Sequence, residues 1–318
     1  MEPPLCTHCS KRKSFYFRRY SGEKLCQQCF TKNIEGLVWR YVKREQLFKE
    51  GERVALAISG GKDSYALAQV MRKIAKRFKL DLVAIFIDEG IGGYREEALQ
   101  LVKRIAEIAE APLYTSSFKE IFGMSLDEIH RKSMEKGLEF NMCTFCGTLR
   151  RRAINDLARE LNASKVAVGH NLDDEAQTVF MNLIRGNLIR LAIRTVLYDK
   201  RSAGLIPRVK PLRNIPENEV ALYAYLKGAQ FYERECPYVR VSMRDEVRNI
   251  LNTLEEKHPG VKFSIVRSAD KLAALLKEHP AILERVKIRH CKNCGAPTTR
   301  ELCRVCELFQ ALTAKLKT

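Results

Sequence analysis

The sequence predicts an α/β protein built on a doubly wound parallel sheet, with a zinc-ribbon module at each end of the chain. Three observations carry this. Short continuous apolar runs alternate with segments that repeat at helical spacing. A glycine-rich loop follows the first of those runs. The 11 cysteines fall into groups of four in the first 29 residues, three in the middle and four in the last 28. Strands without polar alternation, separated by helices, indicate a parallel sheet covered on both faces, with right-handed crossovers.

The first module, residues 1–33, carries Cys6-x2-Cys9 and Cys26-x2-Cys29. The last, residues 289–318, carries Cys291-x2-Cys294 and Cys303-x2-Cys306. Four thiolates in two knuckles match a closed tetrahedral zinc site, which is structural and leaves no open position for catalysis. Modules this small need the metal to fold. His8 and His290 stand beside complete quartets and are not needed as ligands. Spacers of different length show that the two modules are not repeats.

Ile34, Leu37, Val38, Tyr41, Val42 and Phe48 recur at helical spacing and predict a linking helix over 34–50. A larger domain, 51–245, follows. Its strands are "VALAIS" (Val54 to Ser59), "LVAIFID" (Leu82 to Asp88), the weaker "APLYTSS" and "KVAVGH" (Lys165 to His170). Between them lie helical faces: Leu67, Val70, Met71, Ile74 and Phe78; then Leu99, Val102, Ile105, Ala106 and Ala109; then Leu149, Ala153, Leu157 and Leu161. "DDEAQTVFMNLI" and "ENEVALYAYLKGA" also read as helices. Residues 246–288 read as mostly helical, broken at Pro259-Gly260 and Pro280, with no legible task.

Lys and Arg number 56 against 38 Asp and Glu, a net charge of +18. The clusters at Lys11 to Lys13, Arg18 and Arg19, Arg150 to Arg152, and Arg185 to Arg213 point to a nucleic-acid partner rather than to solubility alone. No apolar run approaches the roughly 18 residues that span a bilayer, and the N-terminus does not read as a signal peptide. The expectation is a cytoplasmic protein without a membrane partner. The odd cysteine count argues against a disulfide framework.

"SGGKDS" (Ser59 to Ser64) lies between the first strand and the first helix of the large domain. Ligands of an open α/β sheet bind at the carboxyl ends of its strands. Gly60 and Gly61 let the backbone close around an anion, and the helix N-terminus adds free N–H groups. Ser59 and Ser64 add hydroxyls, Lys62 a charge, and Asp63 a carboxylate that holds Mg²⁺ or caps the helix. The mononucleotide loop GxxxxGK[ST] does not fit, because its first glycine would fall at Leu56.

This loop resembles that of the PP-loop ATP-pyrophosphatase superfamily, whose members have an adenine-nucleotide α-hydrolase-like, Rossmann-type sheet and split ATP to AMP and pyrophosphate. "IDEGIGGYR" (Ile87 to Arg95), "CTFCGTLRR" (Cys143 to Arg151), "GHNLDDEAQT" (Gly169 to Thr178), "VKPL" (Val209 to Leu212) and "ECPY" (Glu235 to Tyr238) extend the match. Together they resemble the archaeal and eukaryotic cytoplasmic tRNA 2-thiolation enzymes, in the branch that acts on the wobble uridine, position 34. The resemblance covers nearly the whole chain. It implies ATP, tRNA and a sulfur donor, either a ubiquitin-like carrier with a C-terminal thiocarboxylate or free sulfide. A homodimer is compatible with it. In the related branch that acts on a T-loop uridine, position 54, a lysine stands at the place of Arg150.

Cys143, Cys146 and Cys236 remain outside the zinc quartets. Three thiolates with a vacant fourth position fit a [4Fe–4S] cluster with one iron not held by protein, and the resemblance favours it. The same thiols without metal would carry a persulfide and resolve it as a disulfide; three buried thiols are the bland alternative. In the scheme the resemblance implies, ATP adenylates the C2 oxygen of the uridine, sulfide attacks C2 and AMP leaves. The adenine is expected near Ala57, Ile87 and Gly169. Arg150 is expected to neutralise phosphate charge, with Arg151 and Arg152 towards tRNA or solvent. Asp174 matches the essential acid of the family, to orient the uridine, accept a proton or bind Mg²⁺. Helix-capping charge is the plainer role for Asp173 and Asp174, and N-capping for Asn171. A non-catalytic zinc-ribbon RNA-binding protein would explain the charge and the quartets, but neither SGGKDS nor the middle cysteines.

Overall fold

The computed structural model describes residues 3–93, 96–138, 141–187, 190, 204–230, 236–238, 242–276 and 288–313. Pro280 and most of the Arg185 to Arg213 basic stretch between 188 and 203 lie outside them.

The N-terminal module opens with an antiparallel pair, β1 (Tyr16–Arg18) and β2 (Glu23–Leu25), and runs into α1 (Gln27–Arg44). The helix therefore starts at Gln27 rather than at residue 34. Cys26 is its N-cap and Cys29 lies in its first turn, so the second cysteine knuckle is itself the helix start. Phe48 is buried but lies beyond the helix end.

Five strands form the central sheet: β3 (Arg53–Ala57), β4 (Asp81–Asp88), β5 (Leu113–Ser117), β6 (Lys165–Val168) and β7 (Arg208–Val209). All neighbours are parallel, in the order β5-β4-β3-β6-β7. The chain moves outward from β3 through β4 to β5, then returns to the other side of β3. The switch point lies between β3 and β6, where a crevice opens at the strand ends.

Helices cover both faces, as the unbroken apolar runs predict. On one face Val54, Leu56, Ala84, Phe86 and Ala167 meet α1, α2 (Lys62–Phe78), α3 (Glu96–Ala109) and α8 (Glu217–Leu226). On the other, Ala55, Val83, Ile85, Ile87, Val166 and Val168 meet α4 (Phe118–Phe122), α5 (Leu126–Glu135) and α6 (Met142–Glu160). Each large side chain fully buried here, such as Phe145 or Leu149, contributes about 1.5–3 kcal/mol. A further helix, α7 (Leu172–Ile184), carries the hairpin α9 (Met243–Lys257) and α10 (Val261–Leu276) through Leu172, Ala176, Val247, Leu251 and Val266. Gly260 makes the turn between them at φ +97°. Among the described residues no helix is long and apolar enough to cross a membrane.

Both terminal modules are docked. Arg18 is 2% exposed and binds Glu219 of α8, 0% exposed, through Nε at 2.9 Å and Nη2 at 2.8 Å. The C-terminal module pairs β8 (Arg289–His290) with β9 (Pro297–Thr298), and α11 (Arg304–Thr313) buries Leu308 and Leu312 in the core shared with α6.

Candidate active site

The phosphate loop leaves β3 into the crevice. Gly60 takes φ +87°, which only glycine adopts freely, and Gly61 is the N-cap of α2. Ser59 N donates to Ser64 Oγ at 2.9 Å, and the two hydroxyls lie 3.1 Å apart, which closes the loop into a ring. The first-turn N–H groups of α2, from Lys62 to Ser64, lie at the positive end of the helix, an arrangement suited to an anion. Lys62 Nζ lies 2.9 Å from Glu217 and 3.1 Å from Asp63.

Across the switch point, β6 ends against this loop. A Cβ at residue 169 would meet the Asp63 carbonyl oxygen at 2.9 Å, so Gly169 is required for close approach of the two backbones. Asn171 caps α7 reciprocally with Asp174: Asp174 N donates to Asn171 Oδ1 and Asn171 N to Asp174 Oδ2, both at 3.1 Å. Asn171 Nδ2 also reaches Asp63 Oδ1 at 3.3 Å. Burial pushes Asp63 and Asp174 above the usual aspartate range, against Lys62 at the first and the Asn171 N–H and Arg244 at the second. Arg244 Nη1 stands 3.7 Å from Asp174. Ala57 ends β3 and Ile87 is the last but one residue of β4, both on the α6 side, with Ile87 buried. His170 follows Gly169 and is exposed; desolvation by the surrounding groups, then the Lys210 charge, lower its pKa.

The middle cysteines lie on the α6 side. Cys143 and Cys146 occupy the first two turns of α6, and Asn141 caps it through Oδ1 to Thr144 N. Cys143 Sγ lies 3.8 Å from the Tyr238 carbonyl oxygen, so the segment Cys236 to Tyr238 rests against the helix start. Cys146, Cys236 and Tyr238 all pack on the same core. Arg150, one turn after Cys146, donates from Nη2 to Cys146 Sγ at 3.1 Å and lies 2.6 Å from Glu89 Oε1. Its guanidinium therefore spans a thiol and the carboxylate that follows β4. Arg151 is exposed, and Arg152 pairs with Asp156 and reaches Cys294 Sγ at 3.6 Å.

Among the described residues, only the terminal quartets bring three or more ligand atoms within 4.8 Å of one another. Cys6, Cys9, Cys26 and Cys29 fit one zinc ion, and Cys291, Cys294, Cys303 and Cys306 another. Against burial, backbone N–H groups of Cys26, Cys9 and His8 lower the Cys6 thiol to about 6. That of Cys303, 3.2 Å from Cys291 Sγ, leads in lowering Cys291 to about 6. Thiols so stabilised as thiolates are ready metal ligands. The middle trio is spread more widely than a single ion allows.

Several site residues escaped the sequence reading. Glu89 lies within the quoted "IDEGIGGYR", where an acidic residue directly after an apolar strand was the available signal; its burial is visible only in the structure. Glu217, Arg244 and Lys262 belong to helices that carried no motif. Lys262 is 7% exposed and ion-pairs with Asp173 Oδ1, whose Oδ2 accepts from Glu217 N at 2.8 Å.

Comparison with known proteins matches residues 32–254 to the PP-loop domain and 288–307 to the four-cysteine zinc finger domain of RecR. Cytoplasmic tRNA 2-thiolation protein 1 of Bos taurus is 38% identical over 313 residues, 98% of this chain and 89% of that protein. The protein of the same name from Dictyostelium discoideum is 37% identical over 314 residues, 98% of this chain and 84% of its own. Among solved structures, the U34-tRNA thiolase NcsA from Methanococcus maripaludis with its [4Fe–4S] cluster superposes with a TM-score of 0.82 at 34% identity, covering 98% of this chain and 97% of that one.

Proposed function

This chain belongs to the PP-loop family, among the cytoplasmic tRNA 2-thiolation proteins, and from that premise we propose that it is an ATP-dependent tRNA thiolase acting on the wobble uridine. The observation that carries this reading is Arg150, which joins Glu89 at the nucleotide edge of the sheet to Cys146 among the three middle thiols. One residue thus borders both the place where ATP is activated and the place where sulfur is handled.

In this reading the phosphates of ATP lie on the first-turn N–H groups of α2, with Lys62 and the hydroxyls of Ser59 and Ser64 as further donors. Asp63 holds Mg²⁺, and Ala57, Ile87 and Gly169 border the adenine. The C2 oxygen of the uridine attacks the α-phosphorus and pyrophosphate leaves. Hydrosulfide then attacks C2, the C2–O bond breaks and AMP departs with the oxygen. Asp174 receives the proton that hydrosulfide sheds. Arg150 balances charge on the phosphate in flight. Cys143, Cys146 and Cys236 would hold a four-iron cluster rather than a single ion, since their sulfurs are not all within 4.8 Å of one another. Bound there, such a cluster supplies an iron without a protein ligand, at which hydrosulfide can be held. The names of the curated relatives support a cytoplasmic setting. Sulfur comes either as free sulfide or from a ubiquitin-like thiocarboxylate carrier, and the enzyme works either as a monomer or as a homodimer. Donor omission and sedimentation separate these.

The test is anaerobic incubation of the full chain with tRNA, ATP and sulfide, followed by mass spectrometry of the nucleosides and mapping of the modified position. Expected are 2-thiouridine at the wobble position and stoichiometric AMP and pyrophosphate. ATP turnover without thiolation, or thiolation confined to the T-loop, overturns the reading. Thiolation by iron-free protein removes the cluster from it and leaves the persulfide route.

A further inference from the structure

The stretch that leaves β4 is tied to the sulfur centre at two points. The first is the Glu89–Arg150–Cys146 chain. The second runs through α5. Its first turn is docked on the same stretch: Leu126 N donates to the Glu89 carbonyl at 2.8 Å. Gly90, at φ +68°, leaves no space for a side chain, since a Cβ there would sit 2.5 Å from Ser125 Cβ. In that turn both oxygens of Asp127 are committed. Oδ2 accepts from Gly92 N at 2.9 Å, and Oδ1 accepts from the Tyr238 hydroxyl at 2.6 Å. The short distance marks a charge-assisted bond. Tyr238 follows Cys236 by two residues; its ring packs on His130 with centroids 4.9 Å apart, and its carbonyl faces Cys143 Sγ.

We infer that Asp127 and Tyr238 are positioning residues for Cys236, and that Asp127 is the shared anchor between the loop after β4 and the third thiol. This rests on reading the three cysteines as the sulfur centre. Cys143 and Cys146 are placed by the helix that carries them. Among the described residues 236–238, Cys236 lies outside any helix, and the Tyr238 side chain reaches a fixed element. Because the Asp127 carboxylate also holds Gly92, the loop on the nucleotide side and the cysteine segment share one anchor.

The experiment compares wild type, Tyr238→Phe and Asp127→Asn as full chains with both zinc modules loaded. The first readout is alkylation of Cys236 by iodoacetamide in cluster-free protein, resolved by peptide mass spectrometry with Cys143 as the internal reference. Loss of the hydroxyl is expected to raise the Cys236 rate about fivefold or more while ATP affinity stays within about twofold. The second readout is iron loss to a chelator after anaerobic reconstitution, expected to accelerate in both variants, with a changed electron paramagnetic resonance signal on reduction. Equal Cys236 rates in wild type and Tyr238→Phe overturn the inference. If wild type takes up no iron, the cluster reading fails, and the alkylation arm still decides the positioning role. Should Asp127→Asn fail to fold, Tyr238→Phe, which removes a single hydroxyl, decides alone.

Discussion

The ammonium of Lys62 is held 2.9 Å from a carboxylate oxygen of Glu217, at the mouth of the phosphate loop. Burial raises the Glu217 carboxyl, but the hydrogen bond and charge of Lys62 outweigh it and hold it below the usual range. A triphosphate arriving at Lys62 competes with this carboxylate. Glu217→Gln is therefore expected to tighten ATP binding by about three- to tenfold, an effect that shrinks at high salt. Calorimetric titration at two ionic strengths checks it, and weaker binding by the variant would show that Glu217 orients Lys62 instead.

In the proposed reaction Asp174 sets the acid limb. A carboxylate that must be ionised loses its function as pH falls through its pKa. Burial raises that pKa, so the limb is expected above the ordinary aspartate value of 3.8. Arg244 stabilises the ionised form, so Arg244→Met is expected to move the limb to still higher pH. A pH profile of kcat/KM measures this; a limb that moves down in Arg244→Met would be incompatible with the assignment.

The Arg18–Glu219 pair joins the N-terminal module to α8 with both partners withdrawn from water. Arg18→Met leaves Glu219 buried and unneutralised, at a cost of about 3–5 kcal/mol. Arg18→Met combined with Glu219→Leu is expected to recover most of that loss. Denaturant unfolding of the zinc-loaded chain reads both, and a double variant no more stable than the single would contradict the account.

Metal loss at the C-terminal module should reach α6. Cys303→Ser is expected to lower zinc from about two ions per chain to about one and to unfold the module. Leu308 and Leu312 then leave the core they share with α6, and Arg152 loses Cys294. Hydrogen exchange should show α6 amides deprotected while those of β3 stay unchanged. Uniform protection in α6 would mean that the module is only an appendage.

Much of this architecture was legible because its signals are local. Val54 to Ala57 and Leu82 to Ile87 read as buried strands from composition alone, and the CxxC knuckles carry their ligand spacing within a few residues. The start of α1 was misplaced because a knuckle turn and a helix N-terminus are the same turn at Cys26. What stayed hidden is long-range. Lys62 and Glu217 are 155 residues apart, and Asp127 and Tyr238 are 111 apart. No periodicity links such pairs, since each follows from which helix the sheet places beside which loop. The hairpin of α9 and α10 was opaque for the same reason. Its task appears only once Lys262 and Arg244 are seen to reach the two aspartates of α7.

The backbone contact at Gly169 has a mechanical consequence. With no side chain between the β6 exit and the Asp63 carbonyl, the phosphate loop and the start of α7 have no slack between them. Asn171, bonded to Asp63 on one side and Asp174 on the other, completes the linkage. Under the proposed function, a push on the loop by an incoming nucleotide would reach Asp174 as it would the far arm of a lever, without a hinge in between.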